Sequence, residues 1–325
     1  MKMNKNKKRR QFTLLSFLFV VLLLAISLIY LGATVFRSQL PFFQLIDAQA
    51  SLVEQLGPKP EPNPGVTDVD LTEGVRSRMI LGSDFRPQAG FRTDIIILVV
   101  VDQGSGKASL VSFPRDLWVS IPGYGEGRIN TAMQLGGFPL LANTMQTNFG
   151  IYPTQYAMID MEGFLQVIDV LGGIEITTDA YTGDACDTQL DPDGWCEVSP
   201  GTVTMDSAWA LWYVRARYNS SDFDRMRRTQ EVVKAVFDKI ISPSGVLKIP
   251  ELTRLYESEV ESNIPPDQLL PLTKLGMGFD SSTDVRRFTI GTNETTSWTT
   301  PDGGAVLLPN TPAIQLILQQ ATTFE

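Results

Sequence analysis

Arginine is the residue type whose distribution in this chain most clearly indicates chemistry. Between Arg76 and Arg228 the sequence contains eleven arginines and one lysine, Lys107. A planar guanidinium binds phosphate or carboxylate through two parallel hydrogen bonds, whereas ordinary solvent-exposed surfaces mix arginine with lysine. The alternative for any single arginine is an ion pair with a neighbouring aspartate. The excess over the whole region favours a site for phosphate or carboxylate groups.

Several of these arginines fall where a helix is predicted to begin. Arg225, Arg227 and Arg228 lie in the first turns of that helix, where a positive charge opposes the helix dipole. An anion bound at this end would gain from the side chains and from the free backbone amides. The position of the arginines therefore predicts an anion site near the start of this helix.

Aspartates are interleaved with the arginines. Asp84 ends one predicted strand and Asp94 begins the next, so that the two carboxylates can converge at one edge of a sheet. Mg²⁺ takes one or two protein carboxylates and completes its octahedral shell with phosphate oxygens and water. Asp84 and Asp94 are therefore candidate ligands for Mg²⁺, with Mn²⁺ as the alternative ion, bound together with a polyphosphate.

The composition excludes several other chemistries. The chain has 325 residues, no histidine and two cysteines. Without histidine there is no Ser-His-Asp or Cys-His catalytic group, and two cysteines are too few for a four-cysteine zinc site or an iron–sulfur cluster. Residues 38–325 carry 20 Lys/Arg against 36 Asp/Glu, a net charge of −16, so no nucleic-acid partner is expected. A polyanionic partner would need a local basic pocket.

The amino terminus has the pattern of a membrane anchor. Residues 1–37 carry seven Lys/Arg and no acidic residue, and residues 12–36 are 25 residues without a charge. Such a stretch is long enough to cross a bilayer, and the preceding basic residues favour a cytoplasmic amino terminus. We predict a cytoplasmic tail at 1–11, a transmembrane signal anchor at 12–36 and an extracytoplasmic body in a single-pass cell-membrane protein. The alternative is a signal peptide cleaved after Ala48-Gln49-Ala50.

The two cysteines fit an extracytoplasmic body. Cys186 and Cys196 lie ten residues apart in a polar segment that predicts a loop. In an oxidising exterior the expected product is a disulfide, which stabilises by roughly 2–3 kcal/mol. No basic residue is close in sequence to activate a thiol, so a catalytic cysteine is disfavoured.

The rest of the chain divides into three predicted parts. Residues 37–74 predict a juxtamembrane segment and a proline-rich linker that holds the body away from the membrane. Residues 75–245 alternate apolar runs typical of strands with segments of helical spacing, which predicts an α/β domain. Its centre is expected to be a mixed β-sheet covered by helices on both faces. Residues 246–325 predict a C-terminal helical extension, packed on or following this domain, with a last strand near 285–290.

A series of short motifs follows one another through residues 78–240. They are Gly82-Ser83-Asp84-Phe85-Arg86, Arg92-Thr93-Asp94, Phe113-Pro114-Arg115-Asp116, Arg128-Ile129-Asn130-Thr131-Ala132, Gly136-Gly137, Val170-Leu171-Gly172-Gly173-Ile174, Arg215-Ala216-Arg217 and Asp222-Phe223-Asp224-Arg225-Met226-Arg227-Arg228-Thr229-Gln230. Together they resemble the LytR–CpsA–Psr family, and the predicted anchor with an outside domain is similar as well.

The resemblance implies an enzyme that moves a glycopolymer, such as teichoic acid or capsule, from an undecaprenyl-pyrophosphate carrier to peptidoglycan through a phosphodiester. It implies that Asp84 and Asp94 hold the metal ion and that Arg115 and Arg217 act in catalysis. By the same resemblance, Asp116 and Asp224 orient arginines or receive the acceptor proton. The residues implied in binding the pyrophosphate are Arg92, Arg115, Arg215, Arg217, Arg225, Arg228 and Gln230.

Some questions stay open from the sequence. Many members of the family have two glutamines where this chain has Thr229-Gln230, which disfavours a contact role for position 229. A hydrolase of lipid pyrophosphate and a non-catalytic module that binds polyprenyl phosphate are the alternative functions. A polyprenyl chain needs an apolar tunnel, and its candidate residues would otherwise be core. These candidates are Phe138, Leu140, Leu141, Met145, Phe164, Val167 and Ile168.

Overall fold

A six-stranded mixed sheet forms the centre of the fold. The computed structural model describes residues 56–86, 90–218, 221–266 and 283–324, with backbone only at 85 and 86. The predicted tail and anchor, residues 1–36, lie outside the described residues. Among the described residues, no helix is both long and apolar enough to cross a membrane.

The strands and helices alternate along the chain. The strands are β1 (Val75–Arg86), β2 (Gly90–Asp102), β3 (Ala108–Ser112), β4 (Trp118–Ile121), β5 (Gly125–Arg128), β6 (Gln155–Ile159), β7 (Ile174–Thr178), β8 (Thr182–Ala185), β9 (Trp195–Val198), β10 (Gly201–Met205), β11 (Val260–Ser262), β12 (Val285–Thr289), β13 (Thr295–Thr299) and β14 (Ala305–Pro309). The helices are α1 (Ala132–Phe149), α2 (Met161–Leu171), α3 (Ser207–Arg215), α4 (Asp222–Ile241), α5 (Pro243–Val246), α6 (Ile249–Glu259) and α7 (Thr311–Thr322).

The central sheet has the strand order β11-β6-β1-β2-β3-β12. The pairs β1–β2, β2–β3 and β6–β11 are antiparallel, whereas β1–β6 and β3–β12 are parallel. Four two-stranded ribbons pair β4 with β5, β7 with β10, β8 with β9 and β13 with β14. The predicted α/β class with a central mixed sheet is therefore confirmed.

Helices pack on the two faces of this sheet. On one face, Ile96 and Leu98 of β2 join Leu141 and Met145 of α1 and Leu318 of α7 in one apolar core. On the other face, α4 crosses β3 and β12. A second apolar core lies among α2, α3 and α4. Three consecutive buried residues of β2, from Ile96 to Leu98, show that the strand is covered on both faces, and the apolar faces of the helices provide this cover.

Several helix starts follow local rules that are visible in the sequence. Asp160 caps α2 by accepting a hydrogen bond from the Gly163 amide, and Asp206 caps α3 through the Trp209 amide. The regular part of α1 begins near Pro139, because Gly136 and Gly137 have non-helical backbone angles just before it. Proline at the first turn of a helix loses no hydrogen bond.

The C-terminal residues are part of the central fold. The predicted strand near 285–290 is β12, whereas β11 and the β13–β14 ribbon are strands where the sequence predicted a helical extension. β11 pairs with β6 at one edge of the sheet, and β12 pairs with β3 at the other. The buried residues Ile314, Leu318 and Ala321 of α7 belong to the same core as α1. An unpaired sheet edge exposes backbone groups that need partners, and these late strands supply them.

The described part of the proline-rich segment, 56–74, also packs along the body, where the sequence predicted a spacer. The amides of Asn63 and Val69 donate to the carbonyls of Thr147 and Gly150, each at 2.8 Å. Gln315 Nε2 of α7 donates to the Thr67 carbonyl at 2.6 Å. Val69 is buried in the α1 core. Backbone pairing and apolar anchors thus tie this segment to the compact unit formed by residues 55–325.

Candidate active site

A cavity of about 660 Å³ lies where β1 ends and β2 begins, bounded further by α2, α3 and α4. Its charged lining consists of Asp84, Arg92, Asp94, Arg115, Asp116, Arg128, Asp160, Arg215, Arg217 and Arg225. Its apolar lining consists of Ile80, Leu81, Ile95, Ile159, Met161, Phe164, Leu211, Val214, Val232 and Val233. Six arginines against four aspartates leave two excess positive charges in the lining of an otherwise acidic protein.

A β-bulge places Asp94 in this cavity. Ile95 pairs with Gly82 and Thr93 pairs with Ser83, so that Asp94 is the extra residue of β2. In a regular strand Asp94 would share the face of Ile96, which is buried in the α1 core. A bulge changes the direction of the side chain at the extra residue, and both Asp94 and Ile95 line the cavity.

Gly82 allows the close strand approach at the bulge. A Cβ at this position would lie 2.8 Å from Ile95 Cδ1 and 2.9 Å from Ile95 Cβ. These separations are shorter than van der Waals contact, so any larger residue would push the strands apart. Glycine at position 82, in the Gly-Ser-Asp motif, is therefore required by the close contact between β1 and β2 at this site.

Arg115 connects two aspartates of the cavity lining, Asp94 and Asp116, with Asp222 at the start of α4. Its Nη1 lies 3.0 Å from Asp94 Oδ2, and its Nε lies 3.3 Å from Asp116 Oδ2 and 4.0 Å from Asp222 Oδ2. Burial lowers the pKa of Arg115, but Asp94, Asp116 and Asp222 outweigh it and raise that pKa above its ordinary value. Arg115 therefore remains fully charged in its half-buried position.

Arg128 also lines the cavity, although the motif in which it occurs predicted no role for it. Its Nε lies 3.2 Å from Asp116 Oδ1, and its Nη2 donates to the Ala305 carbonyl at 3.0 Å. The nearby Leu307 amide donates to the Asp116 carbonyl at 3.0 Å. The β13–β14 ribbon thus holds Arg128 and Asp116 from a distant part of the sequence, which explains why no local pattern singled them out as a pair.

Asp222 gathers two further arginines at the start of α4. Its Oδ1 lies 3.7 Å from Arg217 Nη2 and 3.7 Å from Arg225 Nη2. Burial lowers the pKa of Arg225, and the positive charges of Arg115 and Arg217 lower it further, against the opposing effect of Asp222. Mutual repulsion of this kind is relieved when an anion binds among the guanidinium groups.

One face of α4 lines the cavity, and two of the predicted pyrophosphate residues lie off that face. The lining positions Arg225, Thr229, Val232 and Val233 follow helical spacing. Arg228 is 1% exposed and is hydrogen-bonded to the carbonyls of Tyr213 and Ala216 in and after α3. Arg228 therefore connects α3 to α4 from outside the cavity lining.

Gln230 and Asp224 also lie outside the cavity lining. Gln230 Nε2 donates to Ser112 Oγ at 2.8 Å and to the Phe288 carbonyl at 2.7 Å, which connects α4 to β3 and β12. Asp224 accepts from the amide and hydroxyl of Ser221 in a capping box at the start of α4. Position 229, where the sequence disfavoured a contact, is a lining residue, with Thr229 Oγ1 donating to the Arg225 carbonyl at 2.9 Å.

The apolar lining differs from the predicted tunnel. Of the seven candidates only Phe164 lines the cavity, on α2. Phe138, Leu140, Leu141 and Met145 belong to the α1 core, while Val167 and Ile168 belong to the second core. The apolar side of the cavity comes mainly from β1, α2, α3 and α4, whose inward residues could not be told from core residues by spacing.

The carboxylates of Asp84 and Asp94 fit a metal ion that binds together with phosphate. Both line the cavity, and Asp84 is paired in register with Arg92. Among the described residues no group of three or more carboxylate, histidine or cysteine side chains could hold a metal alone. Mg²⁺ and Mn²⁺ prefer oxygen ligands, and Mg²⁺ needs only one or two carboxylates when phosphate supplies others.

The predicted disulfide between Cys186 and Cys196 is present. The residues between β8 and β9 form the loop that the sequence predicted, and this loop lies at the end of a hairpin formed by these two strands. The ladder pairs Asp184 with Cys196 and Ala185 with Trp195. β9 alternates exposed and buried residues, but the strand is too short for this alternation to be recognised in the sequence.

A family model matches this chain over most of its length. The model describes the LytR_cpsA_psr family and matches residues 52–322. The chain belongs to the LytR_cpsA_psr family. The motifs at residues 78–240 predicted this relationship, which is confirmed and extends to both ends of the compact unit.

Curated relatives in this family carry two kinds of name. "Regulatory protein MsrR" of Staphylococcus aureus strain COL is 31% identical over 221 residues, which are 67% of this chain and 65% of that protein. The chain thus spans a little less than two thirds of the MsrR length. "Polyisoprenyl-teichoic acid--peptidoglycan teichoic acid transferase TagU" of Oceanobacillus iheyensis is 29% identical over 202 residues, 60% of each chain.

Solved structures share the fold. The crystal structure of B. subtilis TagV aligns with a TM-score of 0.65 and 23% identity, covering 78% of this chain and all of that one. A structure described as TagT bound to LI-WTA aligns with a TM-score of 0.61 and 23% identity, covering 81% and 96%. These similarities show that the LytR_cpsA_psr fold is present here.

Proposed function

We propose that this LytR_cpsA_psr protein is a phosphotransferase that moves a glycopolymer from an undecaprenyl-pyrophosphate carrier to peptidoglycan. The observation that carries the proposal is the cavity in which six arginines adjoin an apolar lining. A lipid-linked pyrophosphate has the same two parts, a diphosphate and an apolar chain. The naming of the relative TagU as a teichoic acid transferase supports the same reaction class.

The reaction needs charge stabilisation and positioning more than acid–base chemistry. A hydroxyl of the acceptor attacks the phosphorus next to the sugar and gives up its proton to solvent. The bond from that phosphorus to the bridging oxygen breaks, and undecaprenyl phosphate leaves with the electron pair of that bond. Negative charge accumulates on the phosphate oxygens, and fixed cations lower the barrier most where this charge develops. Arg115, Arg217 and Arg225 converge around Asp222 and are suited to this role.

Different cavity residues take different parts of the donor. We assign the pyrophosphate to Arg92, Arg115, Arg215, Arg217 and Arg225, and we assign Asp116 to orienting Arg115 and Arg128. The apolar chain would lie against residues of α3 and α4 such as Leu211, Val214 and Val232. Mg²⁺ or Mn²⁺ would be held by Asp84 and Asp94, and when bound it would supply further charge neutralisation at the phosphates. Arg228, Gln230 and Asp224 support the site from outside its lining.

The proposed compartment is the outer face of the cell membrane. The 25 uncharged residues at 12–36 follow a basic tail, which favours a single-pass anchor with a cytoplasmic amino terminus. The disulfide of the body is the form expected in an oxidising compartment. Peptidoglycan and the lipid carrier are both accessible there.

The test is a reconstituted transfer reaction. The full-length chain in detergent is incubated with a synthetic polyprenyl-pyrophosphate-linked sugar and peptidoglycan fragments, with and without Mg²⁺, and products are measured by mass spectrometry. We expect a sugar-phosphate adduct on the glycan that Asp84→Asn reduces and that the control variant Asp102→Asn, at the other end of the β1–β2 pair and outside the cavity lining, does not. Release of sugar phosphate to water in place of an adduct would indicate a hydrolase. Lipid binding without either product would indicate a binding module and would overturn the proposal.

A further inference from the structure

The disulfide-bridged hairpin of β8 and β9 contacts the chain segment that follows α3. The carboxylate of Asp184 on β8 accepts hydrogen bonds from the amides of Arg217 and Tyr218, the latter at 3.1 Å. Trp212 Nε1 of α3 donates to the Ala185 carbonyl at 3.2 Å. The rings of Trp195 and Tyr218 meet edge to face with centroids 4.9 Å apart. The hairpin therefore contacts residues 212–218 at four points.

The segment that the hairpin contacts includes two arginines of the cavity lining. α3 ends at Arg215, and Ala216 is extended, so that the amides of the next residues have left the helical hydrogen-bond pattern. Asp184 supplies the acceptor for two of these amides. Arg215 and Arg217 both line the cavity.

The side chain of Arg217 is weakly held by its own contacts. It is 54% exposed, and its ion-pair distance to Asp222 is 3.7 Å, longer than a hydrogen bond. A surface ion pair of this kind stabilises a side chain by a small amount. The place of the guanidinium therefore depends chiefly on where the backbone at position 217 is fixed.

We propose that Asp184 is a positioning residue for the anion-binding site: by holding the backbone amides of Arg217 and Tyr218, it sets where the Arg217 guanidinium meets a pyrophosphate group. This inference rests on the proposed function, because it concerns how the same cavity binds its diphosphate. Arg228 holds Ala216 from the opposite element, α4. The segment thus keeps one anchor when the other is removed, and the effect of losing Asp184 is partial.

The charge of Asp184 and its positioning role predict opposite effects of its removal on pyrophosphate binding. Burial raises the pKa of Asp184, but hydrogen bonds from the Arg217, Tyr218 and Ala185 amides outweigh it and lower that pKa below 3.8, so the side chain is ionised at neutral pH. On charge alone, removing a carboxylate near an anion site strengthens anion binding. If Asp184 acts by position, removing it weakens binding.

The experiment measures binding of inorganic pyrophosphate to the full-length chain by calorimetry. We expect Asp184→Ala to weaken binding roughly three- to tenfold, part of the strength of one charge-assisted hydrogen bond. Asp184→Asn, which keeps an amide oxygen as acceptor, should retain most of the affinity. The matched control is Asp187→Ala, in the same hairpin loop, because Asp187 is exposed and its side chain accepts only from the Gln189 amide among the described contacts.

A double-mutant cycle tests whether the effect passes through Arg217. In an Arg217→Ala background we expect Asp184→Ala to cause no further loss, because the group that it positions is gone. Binding by Asp184→Ala as tight as by Asp187→Ala, or an equal loss in both backgrounds, would overturn the inference. If Asp184→Ala does not fold, as judged by melting temperature, Asp184→Glu is measured in the same two backgrounds, because it keeps the charge but moves the carboxylate by one methylene. A loss of affinity that occurs only where Arg217 is present is then expected, and no loss would overturn the inference. Absence of pyrophosphate binding by the wild type would instead contradict the proposed function.

Discussion

Arg115 is the residue on which the charges of the cavity converge. It reaches Asp94, Asp116 and Asp222, which belong to three different parts of the chain. A guanidinium can make several hydrogen bonds in fixed directions, which an ammonium group cannot. Replacement of arginine by lysine should therefore reduce activity most at Arg115.

We expect Arg115→Ala to reduce transfer by at least about 100-fold, as loss of a group that stabilises developing charge does in other sites. Arg115→Lys should recover only a small part of the activity. The measurement is donor turnover with the melting temperature recorded for each variant. Arg254→Ala is the matched control, because Arg254 is an exposed arginine of α6 outside the cavity lining. Normal turnover by Arg115→Ala would contradict the assignment of the cavity.

Asp224 can have a catalytic role or a structural one, and the two roles predict different results. The family resemblance implied a part in the reaction, whereas the structure places Asp224 in the capping box of α4. Burial raises its pKa, but hydrogen bonds from Ser221 and the charges of Arg227 and Arg228 outweigh it, so that the pKa lies below 3.8. A lowered carboxylate pKa stabilises the folded state above pH 3.8, and this contribution is lost as pH falls through the folded-state value.

We therefore expect Asp224→Asn to lower the melting temperature at pH 7 by about 1–3 °C, the effect of a weakened cap in a chain of this size. The difference from wild type should shrink as pH falls through the folded-state pKa of Asp224, below which both chains lack the charge. Pyrophosphate binding and transfer should be retained at pH 7. Loss of transfer with an unchanged melting temperature would show that Asp224 takes part in the reaction.

At the scale of elements, the β1–β2 hairpin positions the acidic residues. Its bulge at Asp94 and the glycine opposite it let two adjacent residues of β2 face the cavity. The neighbouring Thr93 is buried and donates from Oγ1 to the Asn130 carbonyl at 3.0 Å. This bond connects the bulge to the segment that precedes α1.

We expect Gly82→Ala to destabilise the fold by about 1–3 kcal/mol, because its methyl group would overlap Ile95. The same change should weaken pyrophosphate binding, since Arg115 is paired with the displaced Asp94. Urea unfolding and calorimetry measure the two effects. Gly104→Ala is the control, because its added methyl would meet only the flexible Asp102 carboxylate, at 3.3 Å. Equal stability of the two variants would contradict a role for Gly82 in the bulge.

At the scale of the whole molecule, the first and last described segments pack together on α1. Gln315 of α7 donates to the carbonyls of Thr67 and Phe149, at 2.6 Å and 3.4 Å. Arg286 of β12 donates to the Thr323 carbonyl at 2.8 Å and lies 4.7 Å from the Phe324 ring. The C-terminal helix is thus fastened to both the amino-terminal segment and the sheet edge.

Two leucines of α7 test whether this helix is part of the core. Leu318 is fully buried, whereas Leu316 is 56% exposed on the same helix. We expect Leu318→Ala to cost about 2–5 kcal/mol of unfolding free energy and Leu316→Ala less than about 0.5 kcal/mol. Urea unfolding of the residue 55–325 unit measures both. Similar small effects would show that residues after 245 form a separate extension.

Local patterns in the sequence predicted the α/β class, several of the helices and the family. The caps Asp160 and Asp206 and the apolar spacing of α2 and α4 act within a few residues, so each can be recognised in isolation. Ordered motifs likewise predicted the family that the chain belongs to. The concentration of arginine predicted an anion site, and six of the eleven arginines line one cavity.

Contacts between distant segments decided the rest. Arg225 and Arg228 are three residues apart, yet only the packing of α3 on α4 sends one into the cavity and buries the other. Arg128 is held by a carbonyl 177 residues away, and Asp94 reaches the cavity only because β1 and β2 pair out of register at Gly82. Sequence patterns reflect hydrogen bonding and burial within a few neighbouring residues. The direction of a side chain depends on partners that become neighbours only in the folded chain.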